Sequence, residues 1–333
     1  MNLEFHYYTT YYMAIRAGFS ENDAYIIAYS SQYVDNAVLP YSIRTERGKY
    51  ITEITASYSF WDEEVSRNIY LPFHFMPGDP EYAGAARRDG KRNKYNVTPA
   101  SNNAKKLLIA ALKTRNLYRV GIAIHTYVDT WAHQNFIGLR SPWNSTDPNS
   151  LLPPIGHAQT GTQPDQLSGR WEDRRLINAN MQVVNRERFL KAAKMMYKYF
   201  STFNKQPYDD ADLIMDWYED FIGTAGNEKQ MNERIYNYII SEDIPEYRKN
   251  EWLTDAAYVD HDPREPYIPG TNAVQWFSTA LFKPSSFTSP EEYSASGDFS
   301  QSSLYHWCEA AKEHRAEAHR ILHAQGLLPI QNW

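Results

Sequence analysis

Residues 122–136 read IAIHTYVDTWAHQNF, with His125, Asp129 and His133 spaced four apart in an otherwise apolar run. At about 3.6 residues per turn, each step of four advances the azimuth by only ~40°, so a helix here carries the three side chains on one narrow stripe. Val120, Ile122, Ala123, Ile124, Tyr127, Val128, Trp131 and Phe136 surround them, so the stripe does not face bulk water. Polar groups buried in such a setting need partners. Hydrogen-bonded core histidines beside an arginine-paired Asp129 are the plain alternative. A carboxylate buried between two imidazoles without a cation or a strong donor is costly, however, and this favours metal ligation. Imidazole and carboxylate suit zinc, with manganese or iron also open, and one such helix can feed two adjacent ions.

Outward from this stretch the signals are mainly helical. Helices are expected over 3–17, ending at Gly18, and from Ser20 to about Asn36, where Ser20 and Asp23 form a capping pattern. Further helices are expected over Asn103–Lys113, over the His125 segment after a turn near Asn116, over 174–204, 209–225 and 227–242, in a short piece at 244–253, and from Leu304 to about Gln325. KYITEITASYSF, 49–60, alternates like a strand or hairpin arm. Residues 72–80 and 141–170 read as loops, the second long enough to suggest function. The expected fold is a mainly α multi-helix bundle with a metal cluster between helices, a small β hairpin and long loops. Residues 1–257 form the metal-binding helical domain and 258–333 a C-terminal extension of loop plus helices packed on it. His306, His314, His319 and His323 sit among mixed charges and read as a solvated face. VDHDPRE, with His261, reads as a turn.

The 333 residues, 42% hydrophobic and 15% aromatic, support a substantial core. Cys308 is the single cysteine, which excludes an intramolecular disulfide and reads as a packed helix residue. No standard signal peptide and no transmembrane span is apparent, so cytoplasmic residence is the default, with export by a signal-independent route left open. The net charge of -6 argues against a broad basic surface for duplex DNA. Neither a G-x-S-x-G elbow nor a P-loop is found. Clustered cations activate a shared water and neutralise phosphate oxygens, which suits phosphoester hydrolysis better than acyl transfer.

LYRVGIAIHTYVDTWAHQNF (117–136) and IYLPFHFMPGD (69–79) resemble, in ligand order, the zinc-dependent phospholipase C family and the related single-strand-specific zinc nucleases. HYYTTYYMAIRAGFS and IAYSSQYVDN resemble a bacterial branch of that superfamily with no assigned activity. The resemblance covers roughly residues 5 to 170. It implies a metal held by Asp35, His74, His125 and Asp129, with Asp129 bridging toward a neighbour. It further implies a second metal on His133 and His157 with a later carboxylate, a third position at His6, and Asp35 as the base that orients the attacking water. Two departures stand out. Family members expose a processed N-terminal Trp that binds the third zinc, whereas this chain begins Met1-Asn2-Leu3. Gly161 stands where an acid follows the last histidine, and Asp165 in GHAQTGTQPDQ is the substitute, with Glu172 and Asp173 as fallbacks.

The implied protein is a phospholipase C-like phosphodiesterase with two zinc ions, or three, that takes a phosphoester substrate. A phospholipid head group is favoured, and Tyr33, Tyr127 and Trp131 form a candidate aromatic wall for it. A single-strand nuclease or nucleotidase of the same fold and a non-catalytic metal-binding interaction protein are the alternatives.

Overall fold

Asn116 accepts a hydrogen bond from the Arg119 backbone N–H and starts a helix, Leu117–Ala132, in which every side chain from Arg119 to Ala132 is buried. A helix buried all round belongs at the centre of its domain. The computed structural model, which describes residues 1–57, 62–224, 227–261, 263 and 290–328, puts it there.

In chain order, a π-helical stretch Glu4–Thr9 runs into α1 (Thr10–Arg16), followed by α2 (Glu21–Asn36). The hairpin β1 (Tyr41–Thr45) and β2 (Gly48–Ile51) precedes α3 (Glu63–Val65), which continues into a second π-helical stretch, Ser66–His74. Next come α4 (Pro80–Ala86), α5 (Asn102–Thr114) and the central helix, α6. A region of short 3-10 turns leads to β3 (Arg170–Glu172), α7 (Asn178–Met181) and β4 (Gln182–Val184). Then follow α8 (Asn185–Phe203), α9 (Ala211–Ile222), α10 (Glu228–Ser241), α11 (Glu251–Ala256), β5 (Ala257–Tyr258), β6 (Glu291–Ala295) and α12 (Ser303–Ala324). The fold is mainly α. The segments α2, α5, α8, α12 and Ser66–His74 all pack on α6. At Gly121 an added Cβ would lie 2.3 Å from the Ile27 carbonyl oxygen, so a glycine lets α2 and α6 come this close.

Several local expectations need correction. Among the described residues of 49–60 only 49–51 is strand, the end of β2, whose partner β1 lies upstream; residues 58–60 are outside the described set. The hairpin belongs to a four-stranded sheet in the order β2-β1-β6-β5, with β1 and β6 parallel and Ile43 opposite Tyr293. Pro72 and His74, expected in a loop, end the second π-helical stretch, where the Thr126 hydroxyl donates to the Phe73 carbonyl at 2.9 Å. The long helix expected from 174 begins at Asn185, because 170–184 forms the β3–β4 ribbon around α7. His314 is fully buried against Phe73, not on a solvated face, and His319 lies 3.2 Å from the Arg67 carbonyl; only His323 of the four is exposed.

Residues 262, 264–272 and 283–289, read as irregular, lie outside the described residues. The C-terminal part shares its core with the rest, since Leu304, Trp307 and Cys308 belong to the same apolar cluster as Phe5, Ala28 and Ile124.

Candidate metal centre

Five segments converge on one point. His6 comes from the first π-helical stretch, Asp35 from the end of α2, and His74 from the last residue of the second π-helical stretch. His125 and Asp129 come from α6, with His133 at its C-cap, and His157 and Asp165 from the 3-10 region. Single π turns inside helices recur at functional sites, and here each π stretch carries one histidine of the cluster.

The side chains form three groups, the first two sharing His125: His6, His125 and Asp129; Asp35, His74 and His125; and His133, His157 and Asp165. Asp129 joins them. Its Oδ1 lies 3.1 Å from His6 Nε2, and its Oδ2 lies 3.2 Å from His125 Nε2 and 3.5 Å from His74 Nδ1. Asp35 Oδ1 is 3.6 Å from His125 Nε2 and 3.7 Å from His74 Nδ1. Asp165 reaches His133 Nε2 at 3.2 Å and His157 Nε2 at 3.3 Å. Donor atoms bound about 2.0–2.2 Å from a shared tetrahedral ion stand about 3.3–3.6 Å apart, and these separations fall around that value.

The histidines are oriented from behind. His125 Nδ1 and His133 Nδ1 each lie 2.8 Å from a backbone carbonyl, of Ser31 and His74 respectively. His74 Nε2 lies 2.8 Å from the Thr55 carbonyl, and His157 Nδ1 lies 2.9 Å from that of Gly161. A carbonyl can only accept, so each outer nitrogen carries the hydrogen and the inner one of a neutral ring presents a lone pair to the carboxylates. This is the arrangement by which backbone acceptors orient metal-bound imidazoles. Phe75 stacks on His133 at 4.6 Å and fixes its plane further.

Two further observations match an arrangement built around cations. Asp129 Oδ2 is buried and has no hydrogen-bond partner, although three imidazoles surround it. Burial alone raises a carboxyl, yet the charges of His133, the Met1 amino group, His125 and His6 hold Asp129 well below the usual range. Asp165 is likewise held down against burial by His157 and the Met1 amino group. Burial and the neighbouring His125 press His6 down to about 3. Burial also presses on His74, but Asp129 and Asp35 outweigh it and raise this ring. Carboxylates and imidazoles brought together in this way form a donor set for divalent metal.

All eight ligand candidates named from the sequence thus lie together. Of the fallbacks, Asp173 is paired with Arg175 and Glu172 with Arg174. The aromatic candidates pack against other rings. Tyr33 is buried between Trp252 and Trp307, Tyr127 between Trp131 and Tyr199, and Trp131 borders a separate cavity. The carbonyls of Ser31, Thr55, His74 and Gly161 went unread, because a main-chain acceptor leaves no mark in a sequence. The Met1 amino group also reaches the cluster, 2.5 Å from Asp129 Oδ1 and 3.2 Å from Asp165 Oδ1.

The chain belongs to a family described as a family of unknown function (DUF6765), whose model matches residues 1–322. Comparison with curated proteins and with solved structures returned no match.

Proposed function

We propose that this protein is a metal-dependent phosphoester hydrolase, a phospholipase C-like phosphodiesterase that uses two or three zinc-like ions. The orphaned Asp129 Oδ2 among inward-facing imidazoles carries the reading, since a buried charged acceptor without a donor is costly unless a cation meets it. Divalent cations bound at such a cluster supply a hydroxide near neutral pH and neutralise phosphate oxygens.

Structural metal sites are closed and catalytic ones keep an open side. Here the side chains of Asp35, His157 and Asp165 are 31%, 20% and 17% exposed, whereas Asp129 is closed off at 1%. This exposure supports the reading of Asp35 as the base that takes a proton from water at the open edge. A cavity of about 390 Å³ adjoins Met1 and Asp165 and is lined by Leu167 and Met231, which offers a mixed apolar and polar bed for a substrate. The preference for a phospholipid head group over a nucleic acid rests on the resemblance in ligand order, and the net charge of -6 adds little to it. No helix among the described residues is long and apolar enough to cross a membrane.

The test combines metal analysis of the purified protein with hydrolysis of a chromogenic phosphodiester, of phosphatidylcholine vesicles and of single-stranded DNA and RNA. The expected result is two or more zinc-like ions per chain, with Asp35→Asn lowering turnover about 100-fold or more while metal content persists. A metal-replete wild type that hydrolyses no phosphoester supports the non-catalytic metal-binding protein instead.

A further inference from the structure

Between the C-terminal end of α6 and the first turns of α8, and lined by none of the candidate ligands, lies a second cavity of about 490 Å³. It falls in the size range of small-molecule sites. Its wall includes Trp131, Asn135, Arg188 and Lys191. The Arg188 Nη1 is buried with no hydrogen-bond partner, and among the described residues no carboxylate pairs with this guanidinium. The nearby Asp173 is already committed to Arg175. Arg188 is half-buried and its guanidinium lies over the Trp171 ring, 5.9 Å from its centroid; without a hydrogen-bonded acceptor beside a cavity, it calls for an anion.

Asn135 is an independent sign. It is only 5% exposed and lines the cavity, yet its carboxamide makes no hydrogen bond among the described residues. Its backbone sits at φ +72°, a left-handed conformation that asparagine tolerates better than most residues. Its backbone N–H donates to the Val97 carbonyl at 3.1 Å, which fixes the main chain from which the carboxamide projects. Lys191, itself exposed to solvent, adds a second cation. Glu187, the one carboxylate of the lining, is exposed to solvent.

We infer that this cavity is a second ligand site, separate from the metal cluster, which binds a phosphate group through Arg188, Lys191 and the Asn135 carboxamide. The group belongs to inorganic phosphate or to a small phosphomonoester, whose organic part would lie against the Trp131 indole. Arg188 supplies the planar fork that recognises an oxyanion in two places, Lys191 a point charge, and Asn135 a neutral N–H donor. The inference uses no metal ion and stands whether or not the cluster hydrolyses phosphoesters.

Calorimetric titration of the full chain with inorganic phosphate, glycerol phosphate and acetate tests it, with and without prior chelator treatment. Phosphate binding is expected to survive chelation, and to weaken tenfold or more in Arg188→Gln and in Asn135→Asp, with partial recovery in Arg188→Lys. Tighter binding of glycerol phosphate assigns the site to a monoester, and equal binding assigns it to free phosphate. In the wild type, phosphate should also shield Arg188 from modification by phenylglyoxal, read by peptide mass, which needs no variant to fold. The inference is overturned if phosphate binding disappears with chelation, if acetate binds as tightly, or if Arg188 is modified equally with and without phosphate.

Discussion

At the residue scale, Asp129 decides between two descriptions of the same cluster. In a metal-free core, a buried carboxylate with one unpartnered oxygen is a liability, and Asp129→Asn would relieve it: the amide is neutral and can donate to an imidazole lone pair. In a metal centre the same substitution removes the bridge between ligand groups. We expect Asp129→Asn to lose at least one metal ion per chain, read by elemental analysis, and to lower the stability of the metal-loaded protein by about 1–3 kcal/mol. A variant as stable as the wild type or more so, with metal content unchanged, would count against Asp129 as a ligand. The spacing His125, Asp129, His133 was legible in the sequence because a helix converts fours into a stripe. His133 follows only loosely, since α6 ends at Ala132 and the ring is aimed from the C-cap, with its N–H bonded to the Asp129 carbonyl.

At the scale of elements, legibility followed local signals. Helices with a side-chain cap were placed closely, as with Ser20 and Asn116, because the cap is written in one residue and its near neighbour. The sheet escaped, because β1 pairs with β6 from the far end of the chain and a strand of five residues carries little pattern of its own. The π turns escaped for the same reason. Gly121 marks a contact between elements that sequence does not advertise. An added methyl there would meet the Ile27 carbonyl oxygen and, at 2.5 Å, the Ser30 Cβ, just before the Ser31 carbonyl that holds His125. Gly121→Ala should therefore cost about 1–3 kcal/mol in urea unfolding and weaken metal retention as well; an unchanged unfolding midpoint would show that α2 can yield freely.

His314 on α12 was misread as solvated because its neighbours in sequence are charged, whereas on the helix it turns inward to Thr126 and the Pro72 carbonyl, each at 3.1 Å. Burial, with the Arg119 charge, brings it down to about 3, below an unfolded value near 6.5. Between these values the unfolded chain binds a proton that the native state refuses, so stability is complete above about pH 6.5 and is lost as pH falls toward 3. At pH 5, His314→Gln should recover roughly 2 kcal/mol of the wild type's loss relative to pH 7, measured as urea midpoints at both values. Parallel pH dependence in the two proteins would show that this ring is not the acid-sensitive group.

At the scale of the whole molecule, the candidate ligands come from residue 6 through residue 165, and the helices that carry them share one apolar core with α12. The sequence placed the ligand types, but their meeting depends on long-range packing, including the buried pairing of Glu4 with Arg234 at 2.5 and 2.9 Å, which ties the His6 segment to α10. A cation bound at this meeting point binds only the folded chain, so it stabilises by RT ln(1 + [L]/Kd), about 2.7 kcal/mol at a hundredfold excess over Kd. At roughly 1–2 °C per kcal/mol for a chain of 333 residues, chelation should lower Tm by about 3–5 °C, and zinc should restore it. In Asp129→Asn the same chelator should have a much smaller effect, because the linkage passes through that residue. If the wild type melts at one temperature with chelator and with zinc, the convergence of these side chains is a feature of packing alone, and the hydrolase reading falls with it.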